Sequence, residues 1–152
     1  MQLSKGTAAV AFASLSIVVA LAQVAEVRLM SVARGAFSGI ADATEVVVRS
    51  NADWEKLWKS HAGAQPLPEV DFAREMIASV FLGSRPTGGF SVEIVGARRD
   101  GDTLVIEYAE RRPPPDAIVT QALTAPFHIV RLEAHAGPVR FRRLATAARP
   151  RG

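Results

Sequence analysis

The sequence predicts an α+β domain in which a mainly antiparallel or mixed β-sheet of about five to seven strands carries one main helix packed on it. Three observations lead there. Short runs rich in β-branched and aromatic residues recur between Gly- and Pro-bearing breaks. Only one segment shows helical spacing of its apolar residues. The 152 residues are 49% hydrophobic and 22% charged, which suits one globular domain of ordinary size.

The first segment is an address. Lys5 is the only charge before Glu26, and it precedes an apolar run from Ala8 to Ala22 that ends in Ala20-Leu21-Ala22. A bilayer-spanning helix needs about 20 apolar residues; a positive start, a short apolar stretch and an A-x-A site describe a signal peptide over 1–22. The expected division is therefore 1–22 signal, 23–144 folded domain and 145–152 a flexible basic tail without apolar periodicity. Localisation follows as exported: periplasmic, in the cell envelope or secreted, with no membrane span after cleavage. The chain has no cysteine, so hydrophobic burial alone must stabilise it.

Glu26–Val32 and Thr44–Arg49 read as strands, the second because Val46, Val47 and Val48 are β-branched; Gly35 and Gly39 flank a loop between them. Ser50 or Asn51 opens the helix. Trp54, Leu57, Trp58 and His61 then fall at i, i+3, i+4 and i+7, giving one apolar face, and Gly63 with Pro66 and Pro68 ends it. Glu75–Leu82 is apolar on both alternating sets, Met76, Ala78, Val80 and Leu82 on one and Ile77 and Phe81 on the other. That pattern describes a strand covered on both faces.

Phe90, Val92 and Ile94 alternate with Ser91 and Glu93, and Leu104, Ile106 and Tyr108 with Val105 and Glu107, which predicts a hairpin. A three-residue loop Arg99-Asp100-Gly101 sets Ile94 opposite Ile106 and Val92 opposite Tyr108, keeping apolar residues together, and places glycine where a turn with a bulge needs it. Pro113, Pro114 and Pro115 exclude a ladder and mark a surface loop. Phe127–Glu133 and Val139–Leu144 complete the strands, Arg140 and Arg142 lying opposite Val139 and Phe141.

Several chemistries are poorly supported. Lys plus Arg number 18 against 15 Asp plus Glu, too even a balance for nucleic acid as partner. Gly83 and Gly88 have the spacing of a phosphate loop, but Gly89-Phe90 stands where Lys and Ser or Thr are required. Gly35-Ala36-Phe37-Ser38-Gly39 has its serine one place too late for a nucleophile elbow. His61, His128 and His135 lack metal-ligand spacing. His61 lies on the apolar helix stripe as a packing residue, and Asp100 and Asp102 belong to a turn. A serine or acid–base site assembled from distant residues, making a small hydrolase, stays open as a lesser alternative. No metal, cofactor or catalytic residue is expected, and the chain is read as a non-enzyme.

What stands out is Arg85-Pro86-Thr87-Gly88-Gly89-Phe90, a loop between two strong strands. Proline removes a donor, threonine offers a hydroxyl and the glycines allow a close backbone approach. These six residues are the expected partner-binding site, and the partner is another protein.

Ser38-Gly39-Ile40, Val47-Val48-Arg49 with Trp54 to Trp58, Val70-Asp71-Phe72, Phe81-Leu82-Gly83, residues 85–90 and Ser91-Val92-Glu93-Ile94 together resemble the conserved domain of the PrcB family of protease-complex subunits. The resemblance runs from about Ser38 to Arg142 and is most specific over Gly83–Ile94. Phe90 departs from it, since the family usually has tyrosine there. The resemblance implies an exported, non-catalytic accessory module, a subunit or partner of a surface or envelope protease. Pro86-Thr87-Gly88-Gly89-Phe90 is also similar, over a few positions, to the Asn-Pro-Thr-Thr-Gly-Tyr loop of chagasin-like protease inhibitors, which implies the alternative of an inhibitor inserting 85–90 into an enzyme's cleft.

Overall fold

A computed structural model describes residues 25–145. The expected signal peptide 1–22 and all of the expected tail beyond Ala145 lie outside the described residues. In chain order the elements are β1 (Leu29–Gly35), β2 (Thr44–Val48), α1 (Asn51–Ala62), β3 (Glu75–Phe81), β4 (Ser91–Asp100), β5 (Thr103–Arg111), β6 (Phe127–Glu133) and β7 (Val139–Leu144). Among the described residues no helix is long and apolar enough to cross a membrane.

Among the described residues seven strands form two sheets, where the sequence led us to expect one, and with a single short helix there the fold is mainly β. One sheet is antiparallel with order β1-β6-β3-β2; the other has order β4-β5-β7, and β7 joins β5 in parallel. The reason lies in β3 and β6. Both are apolar on both faces, so each face needs a cover. On one side Met76, Ala78, Val80, Val130 and Leu132 pack against Val92, Ile94, Leu104, Ile106 and Tyr108 of the three-stranded sheet. On the other, Ile77, Phe81, Phe127 and Ile129 pack against Trp54 and Trp58 of α1. The two sets read from the alternation of residues 76–82 are the two sets observed. Each fully buried aliphatic side chain in these layers contributes roughly 1.5–3 kcal/mol.

The helix starts as its sequence requires. Ser50 is extended (φ −139°, ψ 152°) and its hydroxyl accepts the Asp53 amide at 3.2 Å, while Asp53 sits at the positive end of the dipole. Trp54, Trp58 and His61 face the sheet and are buried. The indole N–H of Trp54 donates to the Pro68 carbonyl at 2.9 Å and that of Trp58 to Gln65 at 3.0 Å, so neither buried donor is stranded.

Two local expectations need correction. The first strand runs over 29–35, not 26–32, because Glu26 makes an isolated bridge to Arg98 of the other sheet before the chain joins β6, and Gly35 pairs with Phe127 inside the ladder. In the hairpin the loop is the two-residue Gly101-Asp102, with Asp100 paired to Thr103. Gly101 has φ +59° at the first turn position, where a type II′ turn requires it. The extra residue expected at the turn sits between Ile94 and Gly96 instead, and this bulge sets Ile94 opposite Tyr108 and Ala97 opposite Ile106. Apolar residues still face one another; the slip is absorbed within β4.

Candidate functional site

The 85–90 loop is fastened down. Ser84 N–H donates to the Ala41 carbonyl at 2.8 Å, and Arg85 and Thr124 exchange backbone hydrogen bonds at 2.7 and 3.0 Å. Gly88 N–H donates to Thr120 O at 2.9 Å, and the Thr124 hydroxyl to Thr87 O at 2.8 Å. Gly89 has φ +85°, and a Cβ there would stand 2.8 Å from Pro113 Cβ. The loop therefore lies flat on the proline-rich 113–124 segment. Pro86 and Gly89 are exposed, whereas Arg85, Thr87, Gly88 and Phe90 are half-buried. Thr87 turns its hydroxyl to the neighbouring Gly88 carbonyl at 3.0 Å. Phe90 precedes the strand and lies under Arg85, whose Cζ is 5.8 Å from the ring centroid. Beside them the supporting segment exposes Ile118 fully and Leu123 to 74%.

Arg85 also leads to a polar site the sequence reading did not reach. The inward row of β5 is Leu104, Ile106, Tyr108 and Glu110, all buried. At its end the Glu110 carboxylate, with 1% of its side chain exposed, is ringed by three guanidinium groups. Arg85 Nη2 lies 3.5 Å from Oε1, Arg112 Nε 3.2 Å from the same oxygen, and Arg143 pairs with Oε2. One step inward, the Tyr108 hydroxyl donates to Glu45 Oε1 at 2.7 Å and so ties β5 to β2 across the sheets. Burial, then this bond and the charge of Glu45, push the Tyr108 pKa up to about 12. Arg85, Glu45, Tyr108, Glu110 and Arg143 line a cleft of about 410 Å³ between the sheets. The alternation of residues 104–108 continued two residues further would have placed Glu110 inward; Glu45 and Arg143 carry no such signal, because their meeting depends on how the sheets stack.

The histidines are structural. His128 is buried, and its Nδ1 accepts the Ile94 amide at 2.8 Å, so Nε2 carries the proton and donates to Ser31 Oγ at 3.0 Å. A general base would need the opposite polarity, and burial followed by the nearby Arg34 lowers the His128 pKa. His61 is buried in an aromatic group, 4.1 Å between centroids from Phe127 and 5.2 Å from Trp58, with Nδ1 2.9 Å from Ser38 Oγ; burial lowers its pKa too. His135 Nε2 donates to the Asp102 carbonyl at 3.0 Å. Among the described residues no three His, Asp or Glu side chains come together as a metal site.

Residues 76–133 match the family described as PrcB C-terminal, the family the sequence resembles. The matched stretch runs from β3 through β6 and holds the 85–90 loop, Tyr108 and Glu110, but not Glu45 or Arg143. No curated protein and no solved structure matches the chain.

Proposed function

We propose that this chain, whose residues 76–133 are a PrcB C-terminal region, is an exported, non-catalytic accessory module that docks another protein, a surface or envelope protease. Support for export comes from the signal-like pattern over 1–22; support for a protease as partner comes from the family. The observation that carries the docking reading is the ledge formed by the 85–90 loop and its supporting segment. Pro86, Ile118 and Leu123 are exposed on backbone that the Arg85–Thr124 and Gly88–Thr120 hydrogen bonds hold in place. An exposed apolar group on a fixed scaffold loses little entropy when covered, which favours association.

The same geometry ranks the ledge above the inhibitor alternative. An inserting loop needs free backbone at its tip, whereas Gly88 N–H and Thr87 O are already bonded within the chain.

The test is affinity capture from envelope extract with the tagged full chain, comparing the native sequence with Pro86→Asp, Leu123→Asp and the double variant. The expected result is recovery of a protease with the native chain, identified by mass spectrometry and by its activity in the eluate, and its loss with the double variant. Equal recovery from all forms rejects the ledge. Dose-dependent inhibition of a papain-like protease by the native chain, removed by Thr87→Ala, supports the inhibitor alternative instead.

A further inference from the structure

Three consecutive prolines, Pro113, Pro114 and Pro115, follow the point where Arg111 ends β5. Each ring fixes its own φ at about −65° and drives the residue before it to an extended ψ, so covalent geometry confines Arg112, Pro113 and Pro114 to polyproline II backbone. The piece is also clamped at both ends. Pro113 rests on Gly89, where an added Cβ would stand 2.8 Å from the proline Cβ. The Ala117 amide donates to Pro114 O at 3.0 Å, closing a turn that has Pro115 at its second position, the place proline favours.

A polyproline II helix has about three residues per turn, so successive rings occupy three different edges. Half-buried Pro113 takes the edge against the protein. Pro114 and Pro115 are exposed on the other two, with Arg112, three residues back, on the edge of Pro115, and Arg111 is exposed just before them. The two arginines are not equivalent. Arg112 already pairs with Glu110 at 3.2 Å. Arg111 stands opposite Ser91 on the outer face of the hairpin, and Glu93, two residues along that face, is bound to Arg34 at 3.0 Å. Asp116 lies past the prolines, inside the turn.

Such a piece is shaped as a ligand before anything binds it. Its backbone has little entropy left to lose, and exposed proline rings of this kind are taken by grooves lined with aromatic side chains. A second copy of this chain does not offer one: among the described residues Phe37 is the one exposed aromatic ring. The occupant is therefore a different polypeptide.

We infer that residues 111–115 form a docking peptide displayed on the fold, taken by an aromatic-lined groove of a partner protein, with a carboxylate beside that groove meeting Arg111. The inference goes beyond the ledge, with which it shares only the 113–124 segment, and stands without it.

The probe is a purified SH3 domain that takes Arg-x-x-Pro ligands, titrated into the isotope-labelled full chain and followed by amide NMR; the same domain with its groove tryptophan changed to lysine is the control. Expected are shifts confined to Arg111, Arg112, Asp116 and Ala117, half-saturating at roughly 0.1 mM, with no response to the control. Pro114→Ala removes one exposed ring while Pro115 keeps the backbone extended, and R111E reverses an exposed charge; each should weaken binding about tenfold. Both side chains are exposed, so the two variants test the site with the fold intact. No shift at these four amides up to about 1 mM domain, an equal response to the control, or binding indifferent to both substitutions overturns the inference. So do shifts that grow with protein concentration before any domain is added, which would make a second copy the occupant. Protease capture lost with Pro86→Asp and Leu123→Asp while the response to the SH3 domain persists would leave this segment standing and separate its fate from that of the ledge.

Discussion

His128 and Ile94 join the two sheets through one buried hydrogen bond: the Ile94 amide, on the outer strand β4 next to its bulge, donates to His128 Nδ1 at 2.8 Å. The bond explains why a polar residue lies at this central position of β6, since an apolar side chain would leave the buried Ile94 amide unsatisfied.

His128→Ala removes that acceptor and should lower the unfolding free energy by about 1–3 kcal/mol, measured by urea denaturation at neutral pH. Ser31→Ala, which removes only the partner of Nε2 at a half-wet position, should cost less.

Acid should destabilise the fold through the same residue. Burial holds the His128 and His61 pKa values below 6.5 in the folded chain, so between the folded and unfolded values the unfolded chain binds more protons. The stability is fully present above about pH 6.5 and is lost as pH falls through the folded-state values. Unfolding free energies measured at several pH values from neutral to mildly acid should fall in that direction, and His128→Gln should show a shallower slope.

Tyr108 is the only tyrosine in the chain, so its phenolate absorbance is an internal reporter of the bond to Glu45. The midpoint of a spectroscopic titration should lie near 12, as the folded-state value requires, and Glu45→Gln should bring it back toward 10. Stability from this bond is present below pH 10 and lost as pH rises through about 12.

Glu110→Gln should cost about 2 kcal/mol, because three arginines lose a charged acceptor at a buried point. Arg112, the most exposed of the three at 64% of its side chain, should tolerate Arg112→Gln with a change under about 1 kcal/mol. Thermal melts of the two variants test the contrast.

Gly89→Ala should destabilise by more than about 1 kcal/mol, since the new Cβ meets Pro113 at 2.8 Å in a positive-φ conformation. At Gly101 φ is also positive but nothing lies within 4 Å, so Gly101→Ala should cost only the backbone penalty of about 1 kcal/mol. Limited proteolysis should cut the 113–124 segment faster in the first variant and leave it unchanged in the second.

Much of this fold was legible wherever one residue's surroundings follow from its neighbours in sequence. Met76 and Ile77 announce opposite covered faces, Ser50 announces a helix start, and Val139–Leu144 and Phe127–Glu133 are found with the bounds the pattern predicts. What stayed hidden depends on distant segments. Nothing near Leu104 shows that its strand takes β7 as a parallel neighbour, and nothing near Ile94 shows that a histidine of β6 accepts its amide. The loop at 85–90 was legible as unusual, because Pro86 and Gly89 break every regular pattern. Its fastening to Thr120 and Thr124, and the meeting of Arg85 with Glu110, come from the path of the chain between Pro113 and Ala125.

The ladder that sets Leu29 beside Leu132 and Gly35 beside Phe127 also governs when this polypeptide can fold at all. β1 must wait for β6 and β7 for β5, while among the strand pairs only the β4–β5 hairpin closes directly between neighbours in sequence. Such a topology folds on the millisecond-to-second scale, and a nascent chain lacking its last strand has no completed second sheet to settle into.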